Sequence, residues 1–135
     1  MLGDIIAEEK GRILAQRVLD VNVNGKPRLE VSAVGEGMIK GNIEYTETWT
    51  YKTEERSDCF QYGKGIGVMT LKDDNNQIVN IRGQGIGRMT KSGIMRYVGA
   101  DFYSTSCSGR LSFMNELVGI FEYELDKTGY YTAKV

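Results

Sequence analysis

Two acidic residues lie on segments whose alternation of apolar and polar residues is typical of β-strands. Glu47 lies two residues from both Tyr45 and Trp49, and Asp101 lies two residues before Tyr103. Because residues two apart share one face of a strand, both carboxyl groups are expected among aromatic rings. Burial raises the pKa of a carboxyl group. Glu47 and Asp101 are therefore the candidate catalytic acids or bases, or anchors for a ligand.

Arg17 is a third charge on an otherwise apolar face. A lone buried charge is expensive, so it should be paired or should titrate abnormally. We therefore predict that Arg17 lies near Glu47 or Asp101 inside the molecule. In one interpretation the pair is a structural salt bridge that fixes strand register. In the other, one acid has a raised pKa and acts chemically. The face that Arg17 shares carries Ile13, Ala15, Leu19 and Val21.

The chain contains no histidine. This excludes Ser-His-Asp and Cys-His nucleophile systems and the common histidine-based zinc and iron sites. The two cysteines, Cys59 and Cys107, cannot complete a structural zinc site and are expected to be free thiols. The sequence therefore predicts neither a metal nor a cofactor, and any acid–base chemistry would come from the remaining polar side chains.

A glycine-rich motif occurs twice, as "GKGIGVMT" at Gly63–Thr70 and "GQGIGRMT" at Gly83–Thr90. Its G-x-G-x-G spacing matches neither the P-loop nor the dinucleotide-binding fingerprint, and no helix is predicted after either copy. Nucleotide binding is therefore not expected. The spacing of two instead places three glycines on one face of each predicted strand, in line with apolar residues that face inward.

Glycine within a strand costs roughly 0.5–1 kcal/mol relative to alanine, so a compensating role is expected. Either the glycines allow tight curvature and leave room for large side chains, or they leave a hollow for a small ligand. Gly65 and Gly85 are the central glycines of the two motifs. The natural fillers are Tyr45, Trp49, Tyr51, Tyr97, Tyr103, Phe121 and Tyr123.

Turn signals recur between segments with strand-like alternation, beginning with the hairpin signal "NGKP" at Asn24–Pro27. They predict an all-β single domain over residues 1–135, an up-and-down antiparallel barrel of about eight strands. The expected strands are roughly 11–23, 28–39, 43–53, 61–71, 78–90, 94–104, 111–124 and 130–135, with a bulge or break at Asn115 and Glu116. The alternative for "DIIAEEKGRILAQRVL" is an amphipathic helix, which Gly11 disfavours by about 1 kcal/mol.

The overall charge is balanced, with 17 basic and 18 acidic residues. This gives no electrostatic footprint for nucleic acid and no polybasic segment for a membrane surface. The beginning "MLGDIIAEEKGR" lacks the features of a secretory signal, and no apolar run is long enough to span a membrane. We therefore expect a cytoplasmic protein with no nucleic-acid or membrane partner.

Five segments of the chain resemble an uncharacterised prokaryotic family of small proteins, similar in fold to the allene oxide cyclase-like β-barrels. The segments are "GRILAQRVLDV", "EYTETWTYKTE", "YGKGIGVMT", "GQGIGRMT" and "LSFMNELVGIFEYELD". The resemblance implies an eight-stranded antiparallel barrel, often a homo-oligomer, whose lumen is apolar and aromatic with a few polar groups.

The leading functional hypothesis is a barrel that binds a small, largely apolar molecule in its lumen. Arg17, Glu47 or Asp101 would orient one polar group of the ligand, and Gly65 and Gly85 would open the lumen. One alternative is an isomerase- or cyclase-like enzyme that uses a lumenal carboxylate. The other is a structural or assembly protein whose lumen is filled. The residues expected to line the site are Tyr45, Trp49, Tyr97 and Tyr103.

Overall fold

Eight antiparallel strands form a closed barrel in which each strand pairs with its neighbours in sequence and the last pairs with the first. The computed structural model describes residues 3–40, 42–57 and 60–135. The predicted up-and-down barrel is confirmed. The strands are β1 Ala7–Val21, β2 Pro27–Ile39, β3 Ile43–Ser57, β4 Phe60–Leu71, β5 Ile78–Met89, β6 Met95–Thr105, β7 Val118–Leu125 and β8 Tyr130–Lys134.

The first and the seventh strands begin at other residues than predicted. The first strand begins at Ala7, so the segment that could have been a helix is extended. The seventh strand begins only at Val118, because Ser112–Glu116 forms a short 3-10 helix. The side chain of Asn115 holds this helix against β6: its Oδ1 accepts a hydrogen bond from the backbone N–H of Thr105 at 2.8 Å. Its Nδ2 donates to the carbonyl of the same residue at 3.1 Å.

One end of the barrel is closed by a packed apolar core. The 3-10 helix and the residue before it cover this end, and they contribute the buried side chains of Met114 and Leu111. The core consists of Ala7, Ile39, Tyr45, Met69, Leu71, Val79, Ile81, Leu111 and Met114.

No helix among the described residues is long and apolar enough to cross a membrane.

Inward glycines lie beneath large side chains of the adjacent strand. Gly67 faces Trp49 and Gly87 faces Tyr97, and a β-carbon on either glycine would lie 2.5 Å from the ring. The chain's own rings therefore fill these positions, and they come from the neighbouring strand rather than from across the lumen. The same arrangement holds for Gly11 with Tyr131, Gly37 with Tyr45 and Gly99 with Phe121.

Arg17 lies on the outside of the barrel, so the prediction that it approaches Glu47 or Asp101 is wrong. The register between β1 and β2 shifts by one residue at Leu14. A bulge of this kind exchanges the inward and outward faces of the residues that follow, here up to the second shift at Leu19. Arg17 consequently pairs with Glu30 across the outer surface at 3.1 Å, with 69% of its side chain exposed.

Adding one methyl group at Gly67 should destabilise the protein. We expect Gly67→Ala to lower the free energy of unfolding by about 1–3 kcal/mol, because the Trp49 ring must move out of its position. Urea denaturation at fixed pH measures the change.

Gly63→Ala is the matched control on the same strand and face. A β-carbon there would lie 3.4 Å from the nearest atom of Tyr97, an ordinary contact. We expect its stability to stay within about 1 kcal/mol of the parent, since alanine also restricts the unfolded chain. Equal losses in both variants would show that the ring over Gly67 is not what requires glycine.

Candidate ligand site in the barrel lumen

Three carboxyl groups lie at one level of the lumen, next to the closed end. They belong to Glu9 on β1, Glu47 on β3 and Asp101 on β6. Each stands two residues from a residue of the packed end, so all three side chains point inward. The neighbours on the closed side are Ala7, Tyr45 and Tyr103 respectively.

Glu9 and Glu47 are held by hydrogen bonds. The Tyr131 hydroxyl donates to Oε1 of Glu47 at 2.7 Å, and the indole N–H of Trp49 donates to its Oε2 at 3.1 Å. The Tyr45 hydroxyl donates to Oε1 of Glu9 at 2.7 Å. Burial, followed by the charge of Glu47, raises the pKa of Glu9 well above its ordinary value.

Asp101 has no such support. It is 6% exposed, and its carboxyl group makes no hydrogen bond or ion pair with any residue in the described part of the chain. Gly83 lies directly opposite on β5 and leaves room for this side chain. Burial, and secondly the charge of Glu47, raise the pKa of Asp101 to about 7. Asp101 therefore titrates near neutral pH, and its Oδ1 lies over Gly83.

The aromatic level above the carboxyl groups encloses a cavity of about 100 Å³ that is partly open to solvent. Its wall is almost entirely apolar, and Glu47 and Asp101 form part of it. Gly63 and Gly65 border it on β4, and Gly83 and Gly85 border it on β5. The rings that line it are those of Trp49, Tyr51, Tyr97, Phe121, Tyr123 and Tyr131.

The residues predicted for the site separate into two groups. Six of them border the cavity: Glu47, Asp101, Trp49, Gly65, Gly85 and Tyr97. Tyr45 is instead fully buried in the closed end, and Tyr103 packs against the same core. Arg17 is outside the barrel. The structure thus assembles the acidic and aromatic part of the predicted site without its cation.

Sequence reasoning missed Glu9 and Tyr131. Glu9 lies before the predicted start of the first strand, in a segment that also fits a helix. The alternation of Ala7, Glu9 and Gly11 was the signal that could have revealed it. Tyr131 lies in the last strand, directly opposite Gly11, and only the closure of β8 on β1 brings it to Glu47.

No group of carboxylates and thiols in residues 3–40, 42–57 and 60–135 has the geometry to hold a metal ion. Cys107 is an exposed free thiol, and Cys59 falls outside the described residues.

Comparison with known proteins shows the fold and no more. No family model matches the chain, and no curated protein matches it. A protein of unknown function from Clostridium acetobutylicum ATCC 824 superposes with a TM-score of 0.78 at 11% identity, covering 97% of this chain and 92% of that one. A conserved protein of unknown function from Rhodopseudomonas palustris superposes with a TM-score of 0.73 at 10% identity, covering 96% and 92%.

The raised pKa of Asp101 predicts that it destabilises the protein at high pH. Between its ordinary pKa of 3.8 and about 7, the folded state keeps a proton that the unfolded chain has released, so stability falls as the pH rises through this window. Asp101→Asn removes this effect. From pH 4.5 to pH 8, we expect the variant to gain up to about 3 kcal/mol relative to the parent. Urea unfolding at a series of pH values measures the difference.

Glu9, Glu47 and Tyr103, which face Asp101, are unchanged in this comparison. Glu44→Gln removes one carboxyl group from the exposed face of β3 and controls for the change in net charge. A gain of the same size in the Glu44 variant would contradict the assignment to Asp101.

Proposed function

We propose that this barrel binds a small molecule in its lumen, with the apolar part of the ligand against the aromatic rings and a hydrogen-bond donor at Asp101. The observation that carries the proposal is the coincidence of the cavity with the unpartnered carboxyl group. Binding sites commonly combine an apolar wall with a few polar groups that fix orientation. The orienting role expected of Arg17 passes to Asp101, because Arg17 lies outside.

The size of the cavity limits the ligand. An engineered apolar cavity of about 150 Å³ in another protein accommodates benzene. The present cavity of about 100 Å³ is smaller. On that scale the ligand part inside the barrel has roughly four to six non-hydrogen atoms. A long acyl chain therefore does not fit without movement of the rings, whereas a short branched molecule does.

Trp49 makes lumenal binding directly measurable. It is the only tryptophan of the chain, its ring borders the cavity, and its indole N–H is bonded to Glu47. We expect isobutanol to cause a saturable change in tryptophan fluorescence and in the indole ¹⁵N–¹H resonance, because it fits the cavity and carries one donor. Native mass spectrometry of protein purified from its own host would identify a co-purified ligand.

Gly63→Val provides the test of location. Its side chain would project into the cavity beside Tyr97, and it should reduce isobutanol binding at least tenfold, whereas Gly63→Ala should bind nearly as the parent does. Urea denaturation confirms that both variants are folded. If the parent shows no saturable change, or if Gly63→Val binds equally well, lumenal binding is contradicted.

The second candidate function is acid–base catalysis by Asp101, as in an isomerase. A carboxyl group with a pKa near the working pH can both accept and return a proton efficiently, and Asp101 meets this condition. The resemblance to allene oxide cyclase-like barrels is compatible with this candidate. In the expected reaction, Asp101 removes a proton from the carbon next to the carbonyl group of a small bound ketone. It then returns a proton to another carbon of the same molecule.

Deuterium exchange tests this second candidate without knowledge of the natural substrate. If Asp101 acts as a base, the parent should exchange the α-protons of butanone in D₂O at least about 100-fold faster than Asp101→Asn, measured by ¹H NMR. Glu44→Gln should exchange as fast as the parent. Equal exchange by the parent and Asp101→Asn would eliminate Asp101 as a base.

A further inference from the structure

Charge is divided unevenly between the lumen and the outside of this barrel. Three carboxyl groups in the described part of the chain point inward, whereas every one of the 17 lysines and arginines has an exposed or half-exposed side chain. Lys64 borders the cavity through its strand but lies on the exposed face of β4. We infer that the lumenal ligand is a small organic cation, a protonated amine or a methylated ammonium ion. This inference rests on the proposed lumenal binding and names the class of its ligand.

The contrast between Asp101 and the other two acids supports a missing positive charge. Glu9 and Glu47 receive hydrogen bonds from Tyr45, Tyr131 and Trp49, which satisfy them within the protein. Buried acids that serve structure are normally satisfied in this way. Asp101 is as deeply buried and borders the cavity, but its carboxyl group makes no hydrogen bond or ion pair within the described residues. A ligand with an N⁺–H group would supply the missing charge-assisted hydrogen bond.

The aromatic wall suits a cation independently of the acids. Tyr123 stacks on Tyr131 with ring centroids 5.0 Å apart and meets Tyr97 edge-on at 5.9 Å. The hydroxyl groups of Tyr51 and Tyr123 form a hydrogen bond with each other at 3.2 Å. These two residues therefore offer a ligand their rings rather than their hydroxyl groups. Clusters of tilted aromatic rings attract ammonium groups through the negative potential of the ring faces, and methylated ammonium ions are recognised by such cages.

Other ligand classes fit less well. An anion would be repelled by Glu47 and Asp101 and would find no inward cation. A neutral apolar molecule would fill the cavity but leave Asp101 without a partner. A bare metal ion would need several oxygen ligands, and the described carboxyl groups are not placed to provide them. A monovalent organic cation satisfies both the carboxyl group and the rings.

Ligands of matched shape test the inference in the parent protein. Isobutylammonium, isobutanol and isobutyrate share one branched carbon skeleton and differ in charge. At pH 8, titration followed by Trp49 fluorescence and the indole resonance should show isobutylammonium binding about 10- to 100-fold more tightly than isobutanol, the usual effect of a charge-assisted hydrogen bond. Isobutyrate should bind more weakly than either.

The pH dependence should follow the ionisation of Asp101. The groups that face it are Glu9, Glu47 and Tyr103. Between pH 6 and pH 8 the amine stays protonated while Asp101 loses its proton, so the affinity for isobutylammonium should rise about tenfold. The affinity for isobutanol should not rise.

Asp101→Asn should remove the preference for the cation, whereas the surface variant Glu44→Gln should keep it. Each outcome separates the two proposals. If isobutanol binds as tightly as isobutylammonium, the cationic ligand is refuted while lumenal binding stands. If the preference survives in Asp101→Asn, the cation binds elsewhere and the inference fails. If none of the three compounds changes the Trp49 signals, both proposals fail. The comparison within the parent decides the matter even if Asp101→Asn does not fold.

Discussion

Among the described residues, the interior of this barrel contains three carboxyl groups and no basic side chain, and this imbalance governs how the lumen is built. Removing a carboxylate from water is costly unless hydrogen bonds or an opposite charge replace the solvent. Hydrogen-bond donors of the barrel serve this purpose. Tyr131 and Trp49 donate to Glu47, and Tyr45 donates to Glu9, whose raised pKa favours its neutral form. These donors fix the orientation of the rings, so the acidic level also determines the shape of the aromatic wall above it.

The glycine motifs make this wall possible. A ring that lies flat over the neighbouring strand requires a glycine directly opposite, and Trp49 over Gly67 and Tyr97 over Gly87 show the pattern. The conformational cost of each glycine is offset by the ring that it admits. Gly63 departs from the pattern, since only the edge of Tyr97 approaches it. The cavity lies where the rings do not fully cover the glycines. The same glycine motifs therefore account for both the packed part of the lumen and the cavity.

The alternation of inward and outward side chains along each strand predicted most of the lumenal residues. The prediction failed where a bulge inverts this alternation. It placed Glu47 and Asp101 inward because β3 and β6 pair without interruption over these residues. It misplaced Arg17 because the bulge at Leu14 inverts the alternation, and nothing in an apolar–polar pattern marks an unpaired residue. The pairing of Tyr131 with Glu47 depends on barrel closure, a contact across 84 residues that no local pattern contains.

Asp101 lowers the stability of the barrel when no ligand is bound. A buried carboxyl group with a raised pKa lowers the stability of the folded state at neutral pH, and the chain has tyrosines nearby that donate to the other two acids. A partner for Asp101 would remove this cost, yet none is present among the described residues. Local destabilisation of this kind is characteristic of sites kept for a ligand, since binding then supplies the interaction that the empty protein lacks. The same carboxyl group that weakens the free barrel would therefore strengthen its complex.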